Sequence, residues 1–256
     1  MNIDVFTCLS ANSVPYANVL LENLRHKSSG YNSIRFYAIL TEPNKTEDID
    51  KLDPAFNICY IPEMPDNTKG SERHAAGLNS IVKYIPHDSE MIVVADCDII
   101  MLQDEWDQWF SIMHKTYTVV GTEKHDHTLR MFFMSIFPAW DYEYMGFDYS
   151  GSGSEWHTPT DKECKDIYKI PSGSRIVRDT GWKLSSQIVK AGKKFHKLPV
   201  TNDGHEYGVL YHIGGSHKKY FRSGNIWFIY RDLQERHKIL PDAIYKKLIL
   251  VPEDTL

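Results

Sequence analysis

Two aspartates, Asp96 and Asp98, follow the apolar run Met91-Ile92-Val93-Val94-Ala95, with Cys97 between them. Ionised carboxylates at the end of a buried strand are costly to desolvate. A divalent cation reverses that sign, because carboxylate oxygens are hard ligands for Mg2+ and Mn2+. Such a metal would neutralise a diphosphate and stabilise its departure. The plainer reading is a pair of solvated turn carboxylates, since short acidic pairs arise often by chance. The strand-end position favours the metal.

A second segment runs Tyr211-His212-Ile213-Gly214-Gly215-Ser216-His217-Lys218-Lys219. His212 offers a nitrogen ligand. Glycines such as Gly215 let a backbone approach a phosphate closely, and Lys218 or Lys219 would put positive charge on the same phosphate. Taken alone, the segment reads as a glycine turn beside a packed histidine. A third segment is Arg178-Asp179-Thr180-Gly181-Trp182. Asp179 is either a helix N-cap or a carboxylate that takes sugar hydroxyls, with Trp182 offering an apolar face to the C–H side of a pyranose. Asp203 and His205 lie just ahead of the His212 strand, where acceptor contact is one reading and a turn at Asn202-Asp203-Gly204 the other. His125-Asp126-His127 has no third ligand at a recognisable spacing and reads as a solvated loop. Trp140 and Trp156 either cover an acceptor or simply pack.

These residues need elements to position them. Ile3 to Cys8, Ile34 to Leu40, Phe56 to Ile61 and Met91 to Ala95 read as strands. Between them, Ala17, Leu20, Leu21 and Leu24 recur at helical spacing behind Ser13 and Pro15. Ala75, Leu78, Ile81, Val82 and Ile85 form another stripe, with Ser71 as the expected cap. Alternation of strand and helix predicts an α/β domain with a mixed, mainly parallel central sheet flanked by helices. Ligands of such sheets collect beyond the carboxyl ends of the strands. Further on, Trp106 to Met113 reads as an amphipathic helix, Tyr117 to Gly121 and Val209 to Ile213 as strands, and Thr180 to Ala191 as a helix. Tyr149 to Trp156 is a Ser/Gly-rich loop.

Composition narrows the function classes. The 256 residues are 42% hydrophobic and 25% charged, ordinary globular values that exclude disordered and fibrous chains. A net charge of −5 argues against a nucleic-acid backbone as partner. The four cysteines form no C-x-x-C pair, which fits a reducing compartment. No basic n-region opens the chain, and Asp96 and Asp98 interrupt the longest apolar stretch. The expectation is a soluble, cytoplasmic protein without a transmembrane segment.

Taken together, the order and spacing of these segments resemble a GT-A-fold, nucleotide-sugar-dependent glycosyltransferase. The resemblance spans residues 1 to about 220 and rests on Thr7-Cys8-Leu9-Ser10, Ser71-x-x-His74-x-x-Gly77-Leu78-Asn79, the D-x-D at Asp96 and Asp98, Asp179-Thr180-Gly181-Trp182, and the His-x-x-Gly-x-x-Lys run at His212, Gly215 and Lys218. The last motif is similar to that of family-eight hexosyltransferases, although Lys219-Tyr220 stands where they carry Pro-Trp. Small soluble bacterial and viral members are similar in size. The resemblance implies one catalytic domain over 1–220, with a nucleotide-sugar half to about 100 and an acceptor half beyond it, followed by a helical tail over 221–256. It implies that Asp96, Asp98 and His212 hold Mn2+ or Mg2+ on a UDP-sugar donor. Thr7, Cys8, Leu9 and Asn12 would line the nucleoside, and Arg73, His74, Asn79, Cys97, Gly215 and Lys218 would face the donor. Asn79 and His74 also admit structural readings, as a turn cap and a buried histidine. Asp179 would be the general base if configuration inverts, or would orient the sugar if it is retained. Trp182, Asp203 and His205 would meet the carbohydrate acceptor.

Two other classes fit parts of the sequence. Haloacid-dehalogenase-type phosphatases also carry D-x-D after an apolar strand, but in their first strand and with Thr or Val two residues after the second Asp; here Ile100 takes that place. A sugar-nucleotide-binding module that turns nothing over would keep the same ligands.

Overall fold

The computed structural model describes residues 1–10, 12–42, 49–62, 64–65, 67–123, 128–151, 155–201, 205–214 and 225–249. The chain opens with β1 (Asn2–Leu9), α1 (Val14–His26), β2 (Ser33–Leu40) and β3 (Phe56–Tyr60). α2 (Gly70–Ser80) leads to β4 (Met91–Ala95), β5 (Ile99–Met101) and α3 (Trp106–Met113). The second half brings β6 (Val119–Glu123), β7 (Leu129–Ile136), α4 (Asp141–Met145) and β8 (Trp156–His157). Then come α5 (Asp161–Glu163), β9 (Ile176–Val177), α6 (Leu184–Lys190), β10 (Phe195–Leu198) and β11 (Leu210–His212). α7 (Asn225–His237) and α8 (Asp242–Leu248) follow. None of the described helices is long and apolar enough to cross a membrane.

Seven strands form one sheet in the order β10-β6-β7-β4-β1-β2-β3. β1 runs parallel to β2, from Asn2↔Ser33 to Leu9↔Leu40, and parallel to β4. β7 runs antiparallel to both β4 and β6. The sheet is therefore mixed and mainly parallel, as the alternation of elements predicts.

Strand side chains alternate between two cores. Ile3, Val5, Phe36, Ala38 and Val93 pack with the apolar faces of α1, α3, α7 and α8. Phe6, Cys8, Ile39, Ile92 and Val94 pack with α2, α4 and α6. A sheet covered on both faces needs strands that are apolar throughout, which is why Met91–Ala95 shows no polar alternation. Gly77 lets α2 close onto the strand ends. A Cβ there would come within 2.8 Å of both Cys8 Sγ and Thr41 Cγ2.

Several elements differ from the sequence expectation. β7 and β10 are absent from it, because Met131-Phe132-Phe133-Met134 is a short apolar run without a decisive period. α2 begins at Gly70, with Lys69 rather than Ser71 at the cap position and the Lys69 N–H donating to Glu72 Oε2 at 3.3 Å. Its stripe ends as a short 3-10 turn over Ile81–Lys83. α6 begins at Leu184 rather than near Thr180. Residues 225–249, read from sequence as part of a separate tail, place Tyr230, Leu233, Leu240 and Tyr245 in the same core as β1 and α1.

One anchor of this layer is acidic. Asp107, in the first turn of α3, is fully buried. It accepts the Ser29 N–H at 2.8 Å, Ser29 Oγ at 2.6 Å and Asn32 Nδ2 at 2.6 Å. Burial works to raise its pKa, but the hydrogen bonds from Ser29 and Asn32 outweigh it and hold the carboxyl below its ordinary 3.8. Near that value the native state binds fewer protons than the unfolded chain. The stabilisation is thus present above the ordinary carboxylate range and is lost as pH falls through and below it. Asp107→Asn is expected to cost about 2 kcal/mol at neutral pH and to flatten the acid limb of stability. Thermal melts of both proteins across the acid range check this; parallel curves would contradict it.

Candidate active site

Beyond the carboxyl ends of β1, β2 and β4 lies a cavity of about 580 Å³. Cys8 near the end of β1 lines it, with Ser10 and Asn12 beyond that strand, Thr41 and Glu42 after β2, and Asp96, Cys97 and Asp98 after β4. α2 contributes Arg73 and His74, and β7 contributes Arg130 and Phe132. Asp179, Thr180 and His212 complete the lining.

Asp96, Asp98 and His212 come together at the base of this cavity. One ligand atom from each lies within 4.8 Å of the other two. The pairing of β5 with β11 brings this about: Ile99 stands opposite His212, and the Ile213 N–H donates to the Asp98 carbonyl at 3.0 Å. His212 Nε2 is 3.3 Å from Asp98 Oδ1 and 3.9 Å from Asp96 Oδ2. Its ring stacks on Phe132 with centroids 4.5 Å apart. Burial works against a charged His212, but the hydrogen bond and charge of Asp98, then the charge of Asp96, outweigh it and raise the pKa. Burial first, then the charge of Asp98, pushes the Asp96 carboxyl up to about 8.

This donor set fits a divalent cation. Asp96 Oδ1 is buried and accepts no hydrogen bond; His74 Nε2 stands 3.4 Å away. Two carboxylates and an imidazole converging with one buried oxygen unsatisfied is a high-energy arrangement that a cation relieves. The chemistry of the ligands suits Mn2+ or Mg2+. His74 itself is held neutral: burial lowers its pKa, opposed by Asp98 and Asp179. Burial, aided by Asp96 and Cys97, raises the Cys8 thiol well above its usual range, so it stays protonated.

The other sequence-predicted residues divide into three groups. Asn12, Arg73, Cys97 and Asp179 line the cavity. Arg73 also ties the preceding loop, donating from Nη2 to the Pro65 carbonyl at 2.7 Å and from Nε to the Thr68 carbonyl at 3.1 Å. Asp179 is not a helix cap, because α6 starts beyond it; its Oδ1 accepts the Thr180 N–H at 2.8 Å. Gly151 packs directly beneath, where a Cβ would lie 2.7 Å from the carbonyl oxygens of Arg178 and Asp179.

A second group does not line the cavity. Leu9 is in the core, and its carbonyl accepts both the Thr41 N–H (3.0 Å) and Thr41 Oγ1 (2.8 Å). Thr7 is buried on the same strand. Asn79 Oδ1 accepts the Tyr149 N–H at 3.0 Å, a structural bond that faces a different hollow. Trp182 packs on the small core of Cys164, Tyr168, Ile170 and Ile176, with the Arg178 guanidinium 5.2 Å from its ring centroid. His205 lies against β11, its Nδ1 2.9 Å from the His212 carbonyl. Asp203, Gly215 and Lys218 lie outside the described residues, as do His125–His127.

Sequence reasoning missed Arg130, Phe132, Thr41 and Glu42. Arg130 is 1% exposed, lines the cavity, and donates from Nη2 to the Val177 carbonyl at 2.9 Å. An arginine inside an apolar run was the available signal, but it acquires meaning only once Leu129–Ile136 is known to be a strand beside β4.

No protein-family model and no curated protein matches the sequence. Among solved structures, the chain is similar to the galactosyltransferase LgtC in complex with donor and acceptor sugar analogues, at 11% identity and a TM-score of 0.51 over 96% of this chain and 99% of that one. It is also similar to a mannosyltransferase from Pyrobaculum calidifontis in complex with GDP-Man and Mn2+, at 13% identity and a TM-score of 0.44, over 77% of this chain and 54% of that one. Mouse xyloside xylosyltransferase 1 gives 8% identity and a TM-score of 0.44 over 77% of this chain and 85% of that one. With its mixed seven-stranded sheet and its cavity at the strand ends, the chain has the GT-A fold of nucleotide-diphospho-sugar transferases.

Proposed function

We propose that this protein is a metal-dependent glycosyltransferase that moves a hexose-type sugar from a nucleotide-sugar donor, a UDP-sugar, to a hydroxyl of a carbohydrate acceptor. The observation that carries the reading is the convergence of Asp96, Asp98 and His212 at the base of a cavity that Asp179 also lines. A divalent cation held by those three side chains would supply positive charge to the donor's diphosphate.

The chain's own residues do the rest. Breaking the glycosidic bond leaves extra negative charge on the nucleoside diphosphate. Arg73 and Arg130 place fixed cations in the cavity wall, where low dielectric strengthens their pull on developing charge. Lys218 is assigned to the same phosphates. His74, held neutral, contributes a hydrogen-bonding nitrogen rather than a charge. Cys8, Ser10, Asn12, Thr41 and Glu42 form the nucleoside end. Phe132, stacked on His212, restricts the imidazole's rotation and keeps water from one of its faces. Asp179, fixed by the Thr180 N–H, takes the proton from the acceptor hydroxyl if configuration inverts and orients the sugar if it is retained.

A thermal-shift screen of nucleotide sugars with Mn2+ tests the proposal. Ligand at 100 times its Kd stabilises the native state by about 2.7 kcal/mol, an easily read shift. A UDP-sugar with Mn2+ is expected to raise the melting temperature, and transfer to a carbohydrate should follow with that donor. If no nucleotide sugar shifts the melt, the reading fails. If donors bind but are never cleaved across broad acceptor sets, the protein is a binding module. Release of phosphate from a simple phosphoester without any nucleotide would point to a phosphatase.

A further inference from the structure

β5 and β11 form a two-stranded sheet apart from the main one, with three paired positions from Leu210↔Met101 to His212↔Ile99. This short ladder sets the separation of Asp98 from His212. An isolated pair of strands this short is not stable on its own, so the surrounding structure must hold it.

The hydrogen bonds identify what does. Asn23 of α1 is fully buried. Its Oδ1 accepts the Met101 N–H at 2.6 Å, and its Nδ2 donates to the Met101 carbonyl at 3.1 Å. The same Nδ2 donates to the Ile239 carbonyl at 2.8 Å, in the turn between α7 and α8. Gln234 closes that turn: its Nε2 donates to the Leu240 carbonyl at 2.9 Å and its Oε1 accepts the Leu240 N–H at 3.0 Å. Lys27 Nζ adds a bond to the His237 carbonyl at 2.7 Å. Tyr230, Leu233 and Ile239 share one core with Cys97, Ile99 and Ile213. One amide thus joins β5, the strand that directly follows the D-x-D, to a segment more than a hundred residues later in the chain.

We propose that residues 225–249 are a brace for the candidate metal ligands, and that Asn23 is a positioning residue. By fixing β5 against the Ile239 turn, Asn23 holds Asp98 at the right distance from His212. The proposal rests on reading Asp98 and His212 as ligands. It gives the C-terminal helices, which the glycosyltransferase resemblance leaves without a role, a part in the donor site.

The test uses the full chain and Mn2+ alone, with free ion counted by electron paramagnetic resonance. Asn23→Ala is expected to raise the Mn2+ Kd about 10-fold or more, as losses of supporting contacts around metal ligands do. Leu233→Ala, which removes packing from the brace but no hydrogen bond, should weaken Mn2+ in the same direction and replaces Asn23→Ala if that variant does not fold. Ile188→Ala, in the core on the opposite face of the sheet, should lower the melting temperature and leave the Mn2+ Kd unchanged. Amide exchange at Ile213 and Met101, without metal, should quicken in the brace variants and not in Ile188→Ala. If brace and control variants behave alike in both readouts, the proposal is overturned. If the wild type binds no Mn2+ while the exchange difference stands, the metal reading falls and the brace on β5 and β11 survives.

Discussion

Asp98→Asn is expected to abolish metal-dependent donor binding while the protein still folds. Asp98 is 2% exposed, and its Oδ1 lies 3.3 Å from His212 Nε2. Asparagine keeps the shape and one carbonyl oxygen but halves the carboxylate charge of the Asp96–Asp98 pair. Losing a supporting contact around a metal ligand costs about 10–100-fold in affinity, so losing a ligand's charge should reach at least the top of that range. The fold should persist because the Asp98 backbone carbonyl, which accepts the Ile213 N–H, is untouched, and the amide oxygen of asparagine can still accept from His212 Nε2. Mn2+ titration, and donor titration with and without Mn2+, make the check. Chelating the metal from the wild-type protein should reproduce the variant's donor affinity. Unchanged Mn2+ and nucleotide affinity in Asp98→Asn would remove the metal assignment and, with it, the central support for the proposed reaction.

Asp179→Asn should separate chemistry from binding. Asp179 lines the same cavity but is not part of the Asp96, Asp98 and His212 group. A positioned general base contributes about 10²–10⁴-fold to rate. The variant should therefore lose transfer by a factor in that range, in kcat, while Mn2+ affinity and donor KM stay near the wild-type values. The rotamer should survive, because the amide oxygen of asparagine can still accept the Thr180 N–H. The anomeric configuration of the product, measured alongside, assigns the role. An inverted product fits proton removal by Asp179. A retained one makes the leaving phosphate the proton acceptor and Asp179 a group that orients the sugar. Transfer unaffected by Asp179→Asn would exclude both roles.

Much of the first hundred residues was legible because their elements depend on local patterns. Buried parallel strands must be apolar on both faces, and their helices must show one apolar stripe. Met91–Ala95 and the Ala17, Leu20, Leu21 and Leu24 stripe therefore announced themselves. Two acids ending such a strand are costly to bury, and that cost marked Asp96 and Asp98 from the sequence alone. Asp179 was ambiguous because a cap and a site look alike in sequence; the start of α6 at Leu184 removed the cap reading, and the cavity lining includes the residue.

The sequence by itself determined the α/β class, the strand-end acids and the residue types able to bind a hard cation. Only the tertiary structure decided which of those residues share a cavity. It placed Asp96, Asp98 and His212 together through the β5–β11 ladder, left Thr7, Leu9, Asn79 and Trp182 out of the cavity lining, and brought in Arg130 from a strand the sequence had not revealed. It also took the C-terminal helices into the core beneath the site. The physical reason is the range of the interactions. Helix and strand patterns report contacts between residues a few positions apart. A ladder that joins Ile99 to His212, or one amide that joins Met101 to Ile239, depends on how the sheets and helices pack, which no local spacing records.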